Sequence, residues 1–200
     1  MIFYFLAGSI VLAVMFISFR KEPKLIDYDE LFDAMPKPHL QFPISCDTPK
    51  LGLINSRFSR DCPTLFIDCD GVLHRYQNNS FECRHWFEQL AIRHPSMQLV
   101  LSSNWRDSAD DEYLKTMFGP SLFERIVGAT PMLKLGPIRR QREIEAFIAI
   151  FGVSNFVAID DDKSWFDQSC GFLLLTDPSK GFTEANYWAI DAWLSRLGQG

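Results

Sequence analysis

The chain has 200 residues, 47% of them hydrophobic and 22% charged, which suits one compact domain plus some extra chain and excludes wholesale disorder. Its net charge of −5 argues against an electrostatic grip on nucleic acid by the protein as a whole, although a local basic patch would escape that test. Five cysteines, Cys46, Cys62, Cys69, Cys83 and Cys170, form an odd set without a CxxC, so they define neither a zinc site nor a disulfide framework and suit a reducing compartment.

The first element expected is a membrane anchor. "MIFYFLAGSIVLAVMFISF" runs from Met1 to Phe19 without a charge. At roughly 1.5 Å per residue it spans most of a hydrocarbon core of about 30 Å. It lacks the basic start and small-residue cleavage site of a signal peptide. Arg20, Lys21 and Lys24 follow it, and the positive-inside rule then places the body of the chain in the cytoplasm. The expected division is a single-pass anchor over residues 1–20, a linker or strap over 21–63, and a catalytic domain over 64–200. The strap carries Pro23, Pro36, Pro38, Pro43, Pro49 and Pro63, which break helices and forbid central strands, with room for one short helix at "YDELFDAM".

Beyond Pro63 strands and helices alternate. "TLFIDC" is an apolar run between Pro63 and Gly71 and reads as a fully buried strand. "ECRHWFEQLAIRH" has helical apolar spacing, and "MQLVLSS" is a second buried strand. "DSADDEYLKTMF" begins with capping and acidic residues and is expected to stop at Gly119-Pro120. "RIVGAT" gives a short strand, and "RRQREIEAFIAIF" an amphipathic helix ending at Gly152. "NFVAID" and "GFLLLT" complete the strands, and Thr183 caps a closing helix, "TEANYWAIDAWLSRL". This alternation implies an α/β fold: a mainly parallel sheet with helices on both faces and its ligand site at the carboxyl ends of the strands.

Three of those strand ends carry polar residues: "DCDG", "SSNW" and "DDDK". Parallel strands would bring Asp68, Asp70, Ser102, Asp160 and Asp161 to one edge. Clustered carboxylates repel unless a cation sits among them, and an all-oxygen ligand set points to Mg²⁺.

"FIDCDGVLH" resembles the first motif of the haloacid dehalogenase (HAD) superfamily, hhhDxDGxx. "LVLSSNW" resembles the second motif and "FVAIDDD" the acidic fourth. With "SSNWR" and the late "DPSKGFT", residues 64–190 are similar to a bacterial branch of HAD-like domains that includes domains of RNA-repair multidomain proteins.

The resemblance implies a three-layer Rossmannoid hydrolase. Asp68 would be the nucleophile that forms an aspartyl-phosphate, and Asp70 the acid that protonates the leaving oxygen and later activates water. Ser102 would hold the transferring phosphoryl, with Gly71, Ser103 and Asn104 contacting substrate. Mg²⁺ would be held by Asp68, Asp160, Asp161 and the backbone carbonyl of Asp70. The third motif needs a cation; Lys134, Arg139, Arg140 and Arg142 compete, and Arg140, one turn before Ile144, fits best by position.

Other residues read more plainly. Asp162 is a helix N-terminal acid, His74 a rim or internally satisfied histidine, and Trp105 and Trp165 packing residues. Arg106 is solvated or faces the pocket mouth. Only about thirty residues separate the first two motifs, an ordinary crossover with no cap domain, which leaves an open site for a bulky phosphorylated substrate. A phosphomonoester hydrolase is the leading expectation. A polynucleotide end-processing phosphatase and a phosphate-binding module without turnover are the alternatives, and the acidic charge counts against nucleic acid.

Overall fold

In a computed structural model the described residues are 54–76, 78, 80–133 and 136–198. The expected anchor, the strap before residue 54 with its "YDELFDAM" helix, and Lys134 all lie outside them. No helix among the described residues is long and apolar enough to cross a membrane.

Five strands form one sheet: β1 (Thr64–Ile67), β2 (Gln98–Leu101), β3 (Ile126–Ala129), β4 (Phe156–Asp160) and β5 (Leu173–Leu175). Their order is β3-β2-β1-β4-β5, and every pairing is parallel. The helices are α1 (Arg84–Arg93), the short α2 (Trp105–Ser108), α3 (Asp111–Phe123), α4 (Arg139–Phe151) and α5 (Glu184–Leu197).

Alternation along the strands explains the three layers, because successive side chains point to opposite faces. Leu65 and Ile67 of β1, Leu99 and Leu101 of β2, and Val157 and Ile159 of β4 pack with Phe87 of α1, Met117 and Phe118 of α3, and Ile190 of α5. Phe66, Val100 and Ala158 face the other way, against Ile144, Phe147 and Ile148 of α4. The chain leaves β1 in one direction to build β2 and β3, then crosses the opposite face through α4 to reach β4. The reversal lies between β1 and β4, where doubly wound sheets open a crevice at the strand ends.

Local chemistry fixes the ends. The Asp110 carboxylate accepts the Tyr113 N–H and caps α3. The expected stop at Gly119-Pro120 is a kink instead. Gly119 takes φ 72°, ψ 161°, and Pro120 suits the first turn of the helical segment that resumes and runs to Phe123. Gly152 closes α4 in the left-handed conformation at φ 69°. Thr183 and Asn186 form a reciprocal capping box on α5.

Residues 54–63 lie across the domain. Ile54 bridges Gly128, the Asn55 N–H donates to the Val127 carbonyl at 2.8 Å, and Phe58 packs edge-on against Phe147 and Phe151. The connection from β1 to β2 holds a loop and α1, and that from β2 to β3 holds α2 and α3; neither contains a further domain.

Candidate active site

The ladder brings three strand ends together. The Asp68 N–H donates to the Ile159 carbonyl and the Ser102 N–H to the Ile67 carbonyl, both at 3.0 Å, so β1 is flanked by β4 and β2 just where their polar residues begin. One carboxylate oxygen each of Asp68, Asp160 and Asp161 lies within 4.8 Å of the others. Asp68 and Asp160 are buried and Asp161 is half-buried.

The cation facing them is Arg140, from the first turn of α4. Its Nη2 lies 3.7 Å from Asp68 Oδ1 and its Nε 3.5 Å from Asp160 Oδ2. Of the third-motif candidates among the described residues, Arg140 is the one held against the acids. Arg139 turns aside, stacking its guanidinium 4.7 Å from the Trp165 ring and donating to Asn104 at 3.3 Å. Arg142 approaches Gly136.

One arginine does not balance three carboxylates. Burial pushes the Asp68 carboxyl above its ordinary range, against the pull of Arg140 and of hydrogen bonds from Ser103 and Cys69. Burial and the Asp68 charge push Asp160 up to about 8 and Asp161 up to about 6. Three buried polar atoms here make no hydrogen bond: Asp160 Oδ2, Arg140 Nη1 and Ser102 Oγ. Such groups are costly to bury unless a ligand completes them. An acidic, all-oxygen set with an unfilled carboxylate oxygen suits a hard divalent cation. An unfilled guanidinium N–H and hydroxyl suit phosphoryl oxygens.

Gly71 follows Asp70 at φ 67°. A Cβ built there would lie 2.3 Å from Asp161 Oδ2, so glycine is required both for the turn and for the approach of Asp161. The buried Thr176 hydroxyl, at the end of β5, donates to the Gly71 carbonyl at 2.8 Å and holds that turn.

The Asp70 carboxylate stands apart from the three-acid cluster. Its Oδ2 accepts the Trp105 indole N–H at 2.9 Å, and its Oδ1 lies 3.3 Å from His74 Nε2. Trp105 is therefore more than a packing residue. His74 is not at the rim either; it is fully buried, with Nδ1 3.0 Å from the Arg75 carbonyl and no hydrogen bond at Nε2. Asp162 caps the short 3₁₀ turn Lys163–Trp165 by accepting the Ser164 N–H.

Arg106 departs from its expected exposure. Its side chain is 2% exposed and its Nη2 lies 2.6 Å from Oε2 of the fully buried Glu143, while Nη1 donates to the Ser102 and Ser103 carbonyls. Glu143 Oε1 accepts the Leu133 N–H at 3.1 Å. This pair ties the end of β2 to α4, so Ser102 and Arg140 are carried on one braced unit. The signal for Glu143 was present in the sequence: Arg140, Glu143, Ile144 and Phe147 recur at helical spacing on the buried stripe of "RRQREIEAF".

Residues 64–187, well over half of the chain, match the family described as the HAD domain in Swiss Army Knife RNA repair proteins. The chain belongs to that family. No curated protein and no solved structure matches it. For a HAD domain the match supports hydrolase chemistry in general, and the cluster of Asp68, Asp160 and Asp161 could hold a metal ion.

Proposed function

We propose that the domain is a Mg²⁺-dependent phosphomonoesterase that works through an aspartyl-phosphate on Asp68. The observation that carries the reading is the excess of buried carboxylate over buried cation at the carboxyl ends of β1 and β4. Asp68, Asp160 and Asp161 would hold the ion, which supplies the positive charge that lets a phosphate dianion approach a carboxylate nucleophile.

An Asp68 carboxylate oxygen attacks phosphorus, and the bond from phosphorus to the leaving oxygen breaks. The leaving oxygen takes a proton from Asp70 and departs as an alcohol. Ser102 Oγ and Arg140 Nη1, both lacking partners, donate to the phosphoryl oxygens. Asp70, now a carboxylate, then removes a proton from water as the water oxygen attacks phosphorus. Inorganic phosphate leaves, and the Asp68 carboxylate and Asp70 acid are restored.

Release of phosphate from an aryl phosphate by the full chain with Mg²⁺ tests this. Asp68→Asn is expected to lower kcat by on the order of 10⁴ or more, and chelation to abolish turnover. Turnover that survives Asp68→Asn would overturn the mechanism, and its absence in the wild type would leave a phosphate-binding module.

A second reading, a polynucleotide terminal phosphate as substrate, is favoured by the RNA-repair description of the family and by the guanidinium-on-indole stack of Arg139 and Trp165 beside Asn104. Phosphate release from 3′-phosphorylated oligonucleotides, set against phosphopeptides, separates the two.

The uncharged run 1–19 and the basic residues after it support a location at the cytoplasmic face of a membrane. Recovery of the full chain in the soluble fraction would refute that.

A further inference from the structure

We propose that Trp105 is the positioning residue that decides which oxygen of Asp70 delivers the proton to the leaving group. The inference rests on the phosphatase reading above and adds to it the control of the acid. Asp70 is flanked by the buried residues Cys69 and Gly71 but has a side chain 42% accessible, and a carboxyl group there would sample many orientations unless held. The Trp105 indole N–H can only donate, and it takes Asp70 Oδ2 as its acceptor at 2.9 Å. The transferable proton is therefore left on Oδ1.

Oδ1 faces His74, which does not compete for that role. In the neutral ring the contact of Nδ1 with the Arg75 carbonyl puts the hydrogen on Nδ1 and leaves Nε2 with a lone pair. Nε2 lies 3.3 Å from Oδ1 with no hydrogen bond between them. Phe81 packs edge-on against the His74 ring at 5.1 Å and fixes it.

The indole is itself held. It stacks on Tyr113 with centroids 5.2 Å apart and ring planes 22° from parallel, and Tyr113 lies in the first turn of α3 under the Asp110 cap. The segment "SSNWRDSADDEY" thus places a phosphoryl contact, an acid-aiming indole and the brace of Arg106 in one stretch of chain.

The test compares two esters in the full chain with Mg²⁺: an aryl phosphate whose phenolate leaves without help, and an alkyl phosphate whose alkoxide must be protonated as it leaves. Trp105→Phe keeps an aromatic ring beside Tyr113 and removes the N–H donor together with part of the indole. In a single turnover it is expected to slow alcohol release from the alkyl ester about 10–100-fold and phenol release from the aryl ester by less than about 3-fold, because in that first step Asp70 acts as acid. Asp70→Asn is expected to show the same bias in that first release and to lose steady-state turnover of both esters, since the water step also loses its base, and Trp105→Phe to add nothing in that background. Tyr113→Leu, which loosens the indole but leaves its N–H, gives the bias in smaller degree. Equal slowing of that first release on both esters, or additive slowing with Asp70→Asn, would overturn the role of Trp105 while leaving the phosphatase reading intact. Failure of the wild type to turn over either ester would overturn that reading and this role together.

Discussion

Helix α4 carries two buried charged residues one turn apart, Arg140 and Glu143, and the clusters around them are built to opposite ends. Glu143 is a single carboxylate answered on both oxygens, by Arg106 at 2.6 Å and by the Leu133 N–H, with Arg139 at 3.7 Å. Arg140 is a single guanidinium set against Asp68, Asp160 and Asp161, and polar atoms on both sides are left over. In the first the acid is fully answered, although Arg106 Nε and Arg139 Nε make no hydrogen bond; in the second the acids outnumber the cation. Burial of charge therefore does not by itself mark a site here. The excess of carboxylate over cation is what sets the second cluster apart.

Removing charge from the two clusters should have opposite effects on stability. Glu143→Gln leaves Arg106 buried without its ionic partner and is expected to destabilise the domain by about 3–5 kcal/mol, read by denaturant unfolding. Loss of less than about 1 kcal/mol would mean that the brace between β2 and α4 is dispensable.

Asp160→Asn removes one of three crowded acids and is expected to raise the melting temperature of the metal-free protein by about 2–6 °C at neutral pH. The gain depends on pH in a defined way. Asp160 is pushed up to about 8 in the fold from an ordinary 3.8, and Asp161 up to about 6, so the native state binds more protons than the unfolded chain. The stability that these protonated acids retain is present at low pH and is lost as pH rises from about 4 to 8. The advantage of Asp160→Asn should therefore be small near pH 4, grow across that window and level off above about 8. A pH-independent difference between variant and wild type would contradict the assignment.

The parallel sheet, its helices and the strand-end acids were legible because strong local signals agreed: buried apolar strands, helical stripes, and acids placed just past an apolar run. Arg140, favoured by its place one turn before Ile144, is among the described candidates the one that lies against the acids. What the sequence left open depends on contacts between segments far apart in the chain. Trp105 meets Asp70 across 35 positions and Arg106 meets Glu143 across 37, and no periodicity encodes such pairs. The sequence alone leaves Arg106 solvated or at the pocket mouth, because an arginine five residues past a strand end usually points outward; the buried acid that holds it inside lies on another element. The kink at Gly119 escaped for a different reason. Gly-Pro reads as a stop, although it equally permits a second start.

The central claim is that Asp68, Asp160 and Asp161 form a binding site for one divalent cation. Titration of the full chain with Mg²⁺ by calorimetry at pH 7, without substrate, tests it most directly. The account predicts saturable binding of one ion with release of protons and a rise in melting temperature, both lost in Asp160→Asn. Wild type that binds no Mg²⁺, or a variant that binds it as tightly, would contradict it.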